Sequence, residues 1–143
     1  LRLSNLYISM PKLIRCILLI DDDPDDNFLH RLVIEESGLC EEVREATTAA
    51  EALRYLAQPD TADHPFPSLV LLDVNMPGMN GFEFLDEYPR WVHNPSRNPL
   101  VLLLTAAKNP AEQTRAQAYR QIAGYHVKPL TDELLREVAG RYF

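Results

Sequence analysis

Four apolar runs stand out along the chain: residues 16–20 (CILLI), 69–72 (LVLL), 100–104 (LVLLL) and the weaker 124–127 (GYHV). They are continuous rather than alternating, the pattern of strands covered on both faces of a parallel sheet. Residues 43–46 (VREA) carry charge at two of four positions and predict a poorer strand at an edge. Between these runs the polar and apolar positions fall at helical spacing. Residues 25–37 place Phe28, Leu29, Leu32 and Val33 on one predicted buried face, with Gly38 as the stop. Thr48 and Glu51 read as a capping box opening a helix over 49–56. A helix over 81–88 buries Phe82 and Leu85 until Pro89 bends or ends it. Asn109 and Pro110 open a helix expected to reach about Ile122, and Thr131 caps one over 132–142. Strand and helix thus alternate five times, which predicts an α/β, doubly wound parallel sheet with helices on both faces. The polar, proline-bearing stretches 58–68 and 93–99 are the expected surface loops.

Composition narrows the class. At 143 residues the chain is one domain, long enough to fold without a disulfide or metal staple. The net charge of −7 repels phosphate backbones and argues against direct nucleic-acid binding. No apolar run approaches a membrane span, and nothing resembles a signal peptide, so a cytoplasmic setting is expected. Cys16 and Cys40 do not make a disulfide framework, and Cys16 is expected to be a buried thiol. Residues 1–12 are expected to be a lead-in, disordered or left from cloning, ahead of a domain at 13–143.

In such a sheet the functional crevice lies at the carboxyl ends of the strands. Asp21, Asp22 and Asp23 follow the first run, Asp73 the third, Thr105 the fourth, and Lys128 and Pro129 the fifth. Crowded carboxylates repel one another unless a cation sits among them, and an oxygen-only donor set suits Mg2+. Lys128 and Thr105 would add a charge and a hydroxyl for phosphoryl oxygens. Taken singly, each has an ordinary explanation: an acidic turn, a helix cap, a solvated lysine. Together, on consecutive strand ends, they point to one site.

The segments ILLIDDDPDD, LVLLDVNMPGMNGFEFL, LLLTAA and GYHVKPL resemble the signature blocks of two-component response-regulator receiver domains, across residues 13–142. The resemblance implies a flavodoxin-like fold of strand order 2-1-3-4-5. It further implies Asp73 as phosphoacceptor, and Asp21 and Asp22 as the acidic pair for Mg2+, joined by Asp73 and the Asn75 backbone carbonyl. Asp23 matches an extra acid of that loop. Thr105 matches the switch hydroxyl, Ala106 the small residue that admits phosphoryl groups, and Tyr125 the aromatic switch position. Lys128 matches the family lysine, with a cis Lys128–Pro129 bond, and Gly81 the glycine after the acceptor loop. The implied partner is a histidine kinase or histidine phosphotransfer protein, with a downstream protein target and a homodimer left open. The chain ends at the last predicted helix, as stand-alone receivers do, so transcription control is not expected. Pro89 and the lengthened 93–99 loop depart from the family pattern.

Two rivals use similar residues. Haloacid-dehalogenase-type phosphohydrolases also use Asp, Thr and Lys around Mg2+, but place the nucleophile after the first strand in a DxD pattern; here the acceptor follows the third. A receiver fold working unphosphorylated would not need Asp73, Thr105 and Lys128. The reading is therefore a signalling domain whose chemistry is confined to its own phosphorylation. His30, His64, His93 and His126 share no metal-ligand spacing and are expected exposed or packed. Trp91 with Tyr88 is expected to pack a loop, and Lys108, Arg115 and Arg120 to be solvated.

Overall fold

The computed structural model describes residues 12–93 and 97–143. Apart from Lys12, the N-terminal lead-in lies outside the described residues, as does the middle of the 93–99 loop. Five strands, β1 (Ile14–Ile20), β2 (Cys40–Ala46), β3 (Leu69–Asp73), β4 (Leu100–Thr105) and β5 (Ile122–Val127), pair in parallel in the order β2-β1-β3-β4-β5. Five helices alternate with them: α1 (Pro24–Ser37), α2 (Ala49–Leu56), α3 (Gly81–Trp91), α4 (Pro110–Ala116) and α5 (Asp132–Tyr142). The fold class and strand order match the expectation.

The continuous apolar runs are explained by two cores. Leu18, Ile20, Val70, Leu72, Val101 and Leu103 pack against α2 and α3 on one face. The intervening Ile17, Leu19, Leu69, Leu71, Leu102 and Leu104 pack against Ile34 of α1 and Leu135 and Val138 of α5 on the other. Strand side chains alternate in direction, so a run buried on both sides must be apolar at every position. Cys16 and Cys40 are buried free thiols, and burial pushes them up to about 12 and about 11. Among the described residues no helix is long and apolar enough to cross a membrane.

Four sequence expectations need correcting. The buried stripe of α1 is Asn27, His30 and Ile34, while Phe28, Leu29 and Leu32 are 58%, 52% and 38% exposed. The cause is polar: the Asn27 amide donates to the carbonyls of Asp21 (3.1 Å) and Ala46 (3.4 Å), fixing which side of the helix meets the sheet. α3 does not end at Pro89 but runs to Trp91, because the proline costs a bond only within the last turn and Val92 N–H still reaches the Tyr88 carbonyl. α4 stops at Ala116, well short of Ile122. Tight turns carry the chain from 117 to 121, and Val101 N–H already bonds the Gln121 carbonyl, so the chain must be extended by Ile122. β2 begins at Cys40 rather than 43, since Ile14 pairs with Cys40 on the neighbouring strand.

Smaller readings fare unevenly. Thr48 caps α2, but Glu51 faces Thr47 instead of closing a box; the full capping box belongs to Asn80 and Glu83 on α3. Gly38 stops α1 at φ 71°, and Thr131 caps α5 as read. Tyr88 does secure the loop, its hydroxyl donating to the Arg97 carbonyl, whereas Trp91 is 40% exposed. Arg115 is more engaged than expected, lying 4.6 Å over the Phe82 ring, and Lys108 lies 5.9 Å over that of Tyr125.

Gly81 links the fold to the site. A Cβ there would fall 2.7 Å from the Asp73 carbonyl oxygen and 3.2 Å from Val74 Cα, both backbone atoms. Gly81→Ala must therefore push the loop after Asp73 away. It is expected to lower stability by about 1–3 kcal/mol in urea denaturation, the usual range for overpacking; an unchanged midpoint would show that the loop yields freely.

Candidate functional site

The carboxyl ends of β1, β3, β4 and β5 bring Asp21, Asp73, Thr105 and Lys128 to one rim. Asp21, Asp73 and Thr105 are almost fully buried. One oxygen each from Asp21, Asp22 and Asp73 lies within 4.8 Å of the others, with Asp22 exposed above the buried pair. Hard oxygen donors, converging with an opening to solvent, fit a Mg2+ ion that keeps part of its water shell. Asn75 sits beside them, its N–H 3.4 Å from Asp73 Oδ1.

The Lys128 ammonium enters from β5 and touches three carboxylates: Asp21 Oδ2 at 2.6 Å, Asp26 Oδ2 at 2.9 Å and Asp73 Oδ1 at 3.2 Å. Burial works against its charge, but the hydrogen bonds to Asp21 and Asp26 and the charges of Asp21 and Asp73 outweigh it and raise its pKa. The Lys128–Pro129 bond is cis, as the resemblance implies. Asp23 serves a local purpose as N-cap of α1, accepting from Asp25 N–H at 2.9 Å.

Thr105 and Tyr125 meet through a residue that sequence reading did not single out. The Thr105 hydroxyl donates to the Ala107 carbonyl at 3.0 Å, with Glu112 Oε1 at 3.4 Å. The Tyr125 hydroxyl donates to that same Glu112 oxygen at 2.5 Å and accepts from Asn109 N–H at 3.2 Å. Asp26 was missed too. Each is an acid in the first turn of a helix, and such acids are ordinarily read as partners of the helix dipole. The only hint for Asp26 was that DDDPDD holds more acids than a metal pocket needs. Of the histidines, His30 is buried on the inner face of α1 and His64 stacks on Tyr55.

The placement of an acid pocket, a hydroxyl and a lysine on successive strand ends agrees with what comparison finds. A sequence model of the response regulator receiver domain matches residues 17–139. The chain belongs to this family. This receiver is 32% identical to a two-component response regulator from Cytophaga hutchinsonii, whose crystal structure superposes with a TM-score of 0.82 over 92% of this chain and 97% of that one. A response regulator receiver protein from Dyadobacter fermentans gives 0.77 at 29% identity, over 90% and 98% of the two chains. A 14.6 kDa protein from the sodA1 3′ region of Leptolyngbya boryana is 35% identical over 85% of this chain and 86% of its own length. Other relatives are much longer. The receiver spans 27% of a probable cyclic di-GMP phosphodiesterase of Vibrio cholerae (32% identical over 91% of this chain) and 12% of the sensor histidine kinase GacS of Pseudomonas protegens.

Electrostatics give the site a pH signature. Burial, then the charge of Asp21, outweigh Lys128 and push the Asp73 carboxyl up from 3.8 to about 7. The folded state therefore holds a proton that the unfolded chain releases, and stability falls as pH rises through that window. His30 and His126, whose pKa values burial lowers, act in the opposite sense below pH 6.5. Both are retained in Asp73→Asn, so the difference between the two proteins isolates the carboxyl. Without divalent cations the wild type should lose stability relative to Asp73→Asn between pH 5 and pH 8. Parallel melting-temperature profiles for the two would contradict the assignment.

Proposed function

We propose that this receiver accepts a phosphoryl group onto Asp73 from the phosphohistidine of a histidine kinase or histidine phosphotransfer protein. The observation that carries the reading is the contact of Lys128 with Asp73 inside a pocket already shared with Asp21 and bordered by Thr105. An Asp73 carboxylate oxygen attacks phosphorus, a P–O bond forms as the P–N bond breaks, and the electron pair leaves on the imidazole nitrogen. Asp21, Asp22, Asp73 and the Asn75 backbone carbonyl would hold Mg2+, which supplies positive charge to the phosphoryl oxygens and the crowded carboxylates. Lys128 turns its ammonium to the charge arriving on Asp73. Ala106, small and exposed at the end of β4, leaves the approach open.

The donor needs a surface to dock on. Exposed Phe28, Leu29 and Leu32 form an apolar patch on α1, beginning within one turn of Asp26 and hence close to the pocket. We place the reaction in the cytoplasm, with the donor docked on that patch.

An acyl phosphate on Asp73 carries about −1.5 to −2 charges at pH 7 and holds them further out than the carboxylate it replaces. Thr105 then exchanges its bond to the Ala107 carbonyl for a phosphoryl oxygen. Glu112, which Thr105 shares with Tyr125, loses one of its two hydroxyl neighbours, and the segment from α4 through β5 to α5 is released to a second arrangement. The receiver is thus a switch for a protein partner.

Intact-mass measurement after incubation with a phosphorylated kinase, or with acetyl phosphate and Mg2+, should show one added phosphoryl group on wild type and none on Asp73→Asn. Equal labelling of both would remove Asp73 as acceptor. Beryllofluoride, a phosphoryl mimic, should shift amide signals around Tyr125 and α5 in wild type but only near Asp73 in Thr105→Ala. Persistence of the distant shifts in that variant would mean the hydroxyl does not transmit the change.

A further inference from the structure

Asp26 has no part in the chemistry described so far. It stands in the first turn of α1, 102 residues before Lys128, and its side chain is one-third exposed. The helix dipole accounts for an acid at this position but not for its aim, since Asp26 Oδ2 accepts from Lys128 Nζ at 2.9 Å. An ammonium has three N–H donors and no acceptor. Lys128 donates hydrogen bonds to Asp21 and Asp26 and lies 3.2 Å from Asp73 Oδ1, and the lysine side chain is only 15% exposed.

The three partners are not equivalent. Asp21 and Asp73 belong to the triplet whose oxygens converge within 4.8 Å, whereas Asp26 is outside it. A cation held there takes up the charge of Asp21 and Asp73. Phosphorylation converts the Asp73 carboxylate into an acyl phosphate and moves its negative charge outward. Asp26 alone stays outside that exchange, as a hydrogen-bond acceptor for the lysine at every stage.

Resting on the phosphoacceptor reading above, we propose that Asp26 is a positioning residue: from α1 it anchors the Lys128 ammonium so that the remaining N–H points at the acceptor oxygen. An anchor of this kind acts by hydrogen-bond geometry. An amide oxygen should therefore replace the carboxylate, and a methyl group should not.

Asp26→Ala and Asp26→Asn are compared with wild type. With acetyl phosphate and Mg2+, Asp26→Ala should be phosphorylated about tenfold more slowly, and Asp26→Asn within about twofold of wild type. The apparent Mg2+ affinity, from amide shifts, should stay within about twofold in both. Asp26→Ala reacting at the wild-type rate would overturn the proposal. So would Asp26→Asn as slow as the alanine variant, or a loss of Mg2+ affinity that matches the loss of rate. A second readout needs no phosphorylation: the 15N signal of the Lys128 ammonium in the metal-free protein. It should exchange slowly with water in wild type and Asp26→Asn and broaden away in Asp26→Ala. If wild type acquires no phosphoryl group at Asp73, the functional reading fails. The anchor then stands or falls on the ammonium signal alone, upheld by its loss in Asp26→Ala and overturned by its persistence.

Discussion

A nearly buried ammonium has to be matched by nearby negative charge, and this requirement organises the carboxyl edge of the sheet. Removing a charge from water costs several kcal/mol unless partners restore what solvent supplied. Lys128 finds those partners on three separate elements: Asp21 after β1, Asp26 on α1 and Asp73 at the end of β3. One side chain from the end of β5 therefore ties the first and third strands and the first helix to the fifth strand. The same contacts balance the acids only in part. Asp22 stands beside the three carboxylates that face the lysine, and this surplus of acids fits a cation. Burial first, and then the charge of Asp21, raise the pKa of the Asp73 carboxyl.

The packing behind this edge is ordinary and is what makes it rigid. Every position of β3 is buried, so Asp73 is presented from a strand clamped between β1 and β4. The loop after it is held by Gly81, whose N–H bonds the Val74 carbonyl at 2.9 Å with no room for a side chain. The α4 side is looser by comparison. β5 is only half-buried, α4 is a short helix, and the bonds joining Thr105 to Tyr125 run through a single carboxylate on that helix. Rigidity around Asp73 and slack toward α4 suit the proposed function, in which one reacting atom is placed and a neighbouring face then moves.

Strand positions and the residues at strand ends were legible because they depend on local facts. A doubly buried strand must be apolar throughout, and its end is marked by the first polar residue, here Asp21, Asp73 and Thr105. The order of strands came from family resemblance rather than from periodicity. What could not be read depended on contacts between distant segments. The face of α1 was misassigned because Asn27 and His30 point inward and three large apolar residues point out. The end of α4 was overextended because the pairing of β5 with β4 sets it, not helix propensity. Asp26 and Glu112 each have a sufficient local explanation at a helix start, and only the fold shows that Lys128 and Tyr125 come within reach of them.

The central claim is that burial, reinforced by the charge of Asp21, holds a proton on Asp73 which a cation displaces. Calorimetric titration of the metal-free protein with Mg2+ at pH 7, in buffers of different ionisation enthalpy, tests it directly. With the carboxyl near pH 7, binding should release about half a proton, fading above pH 8 and absent in Asp73→Asn. Mg2+ binding with no proton release at pH 7, or equal release from wild type and Asp73→Asn, would contradict the account.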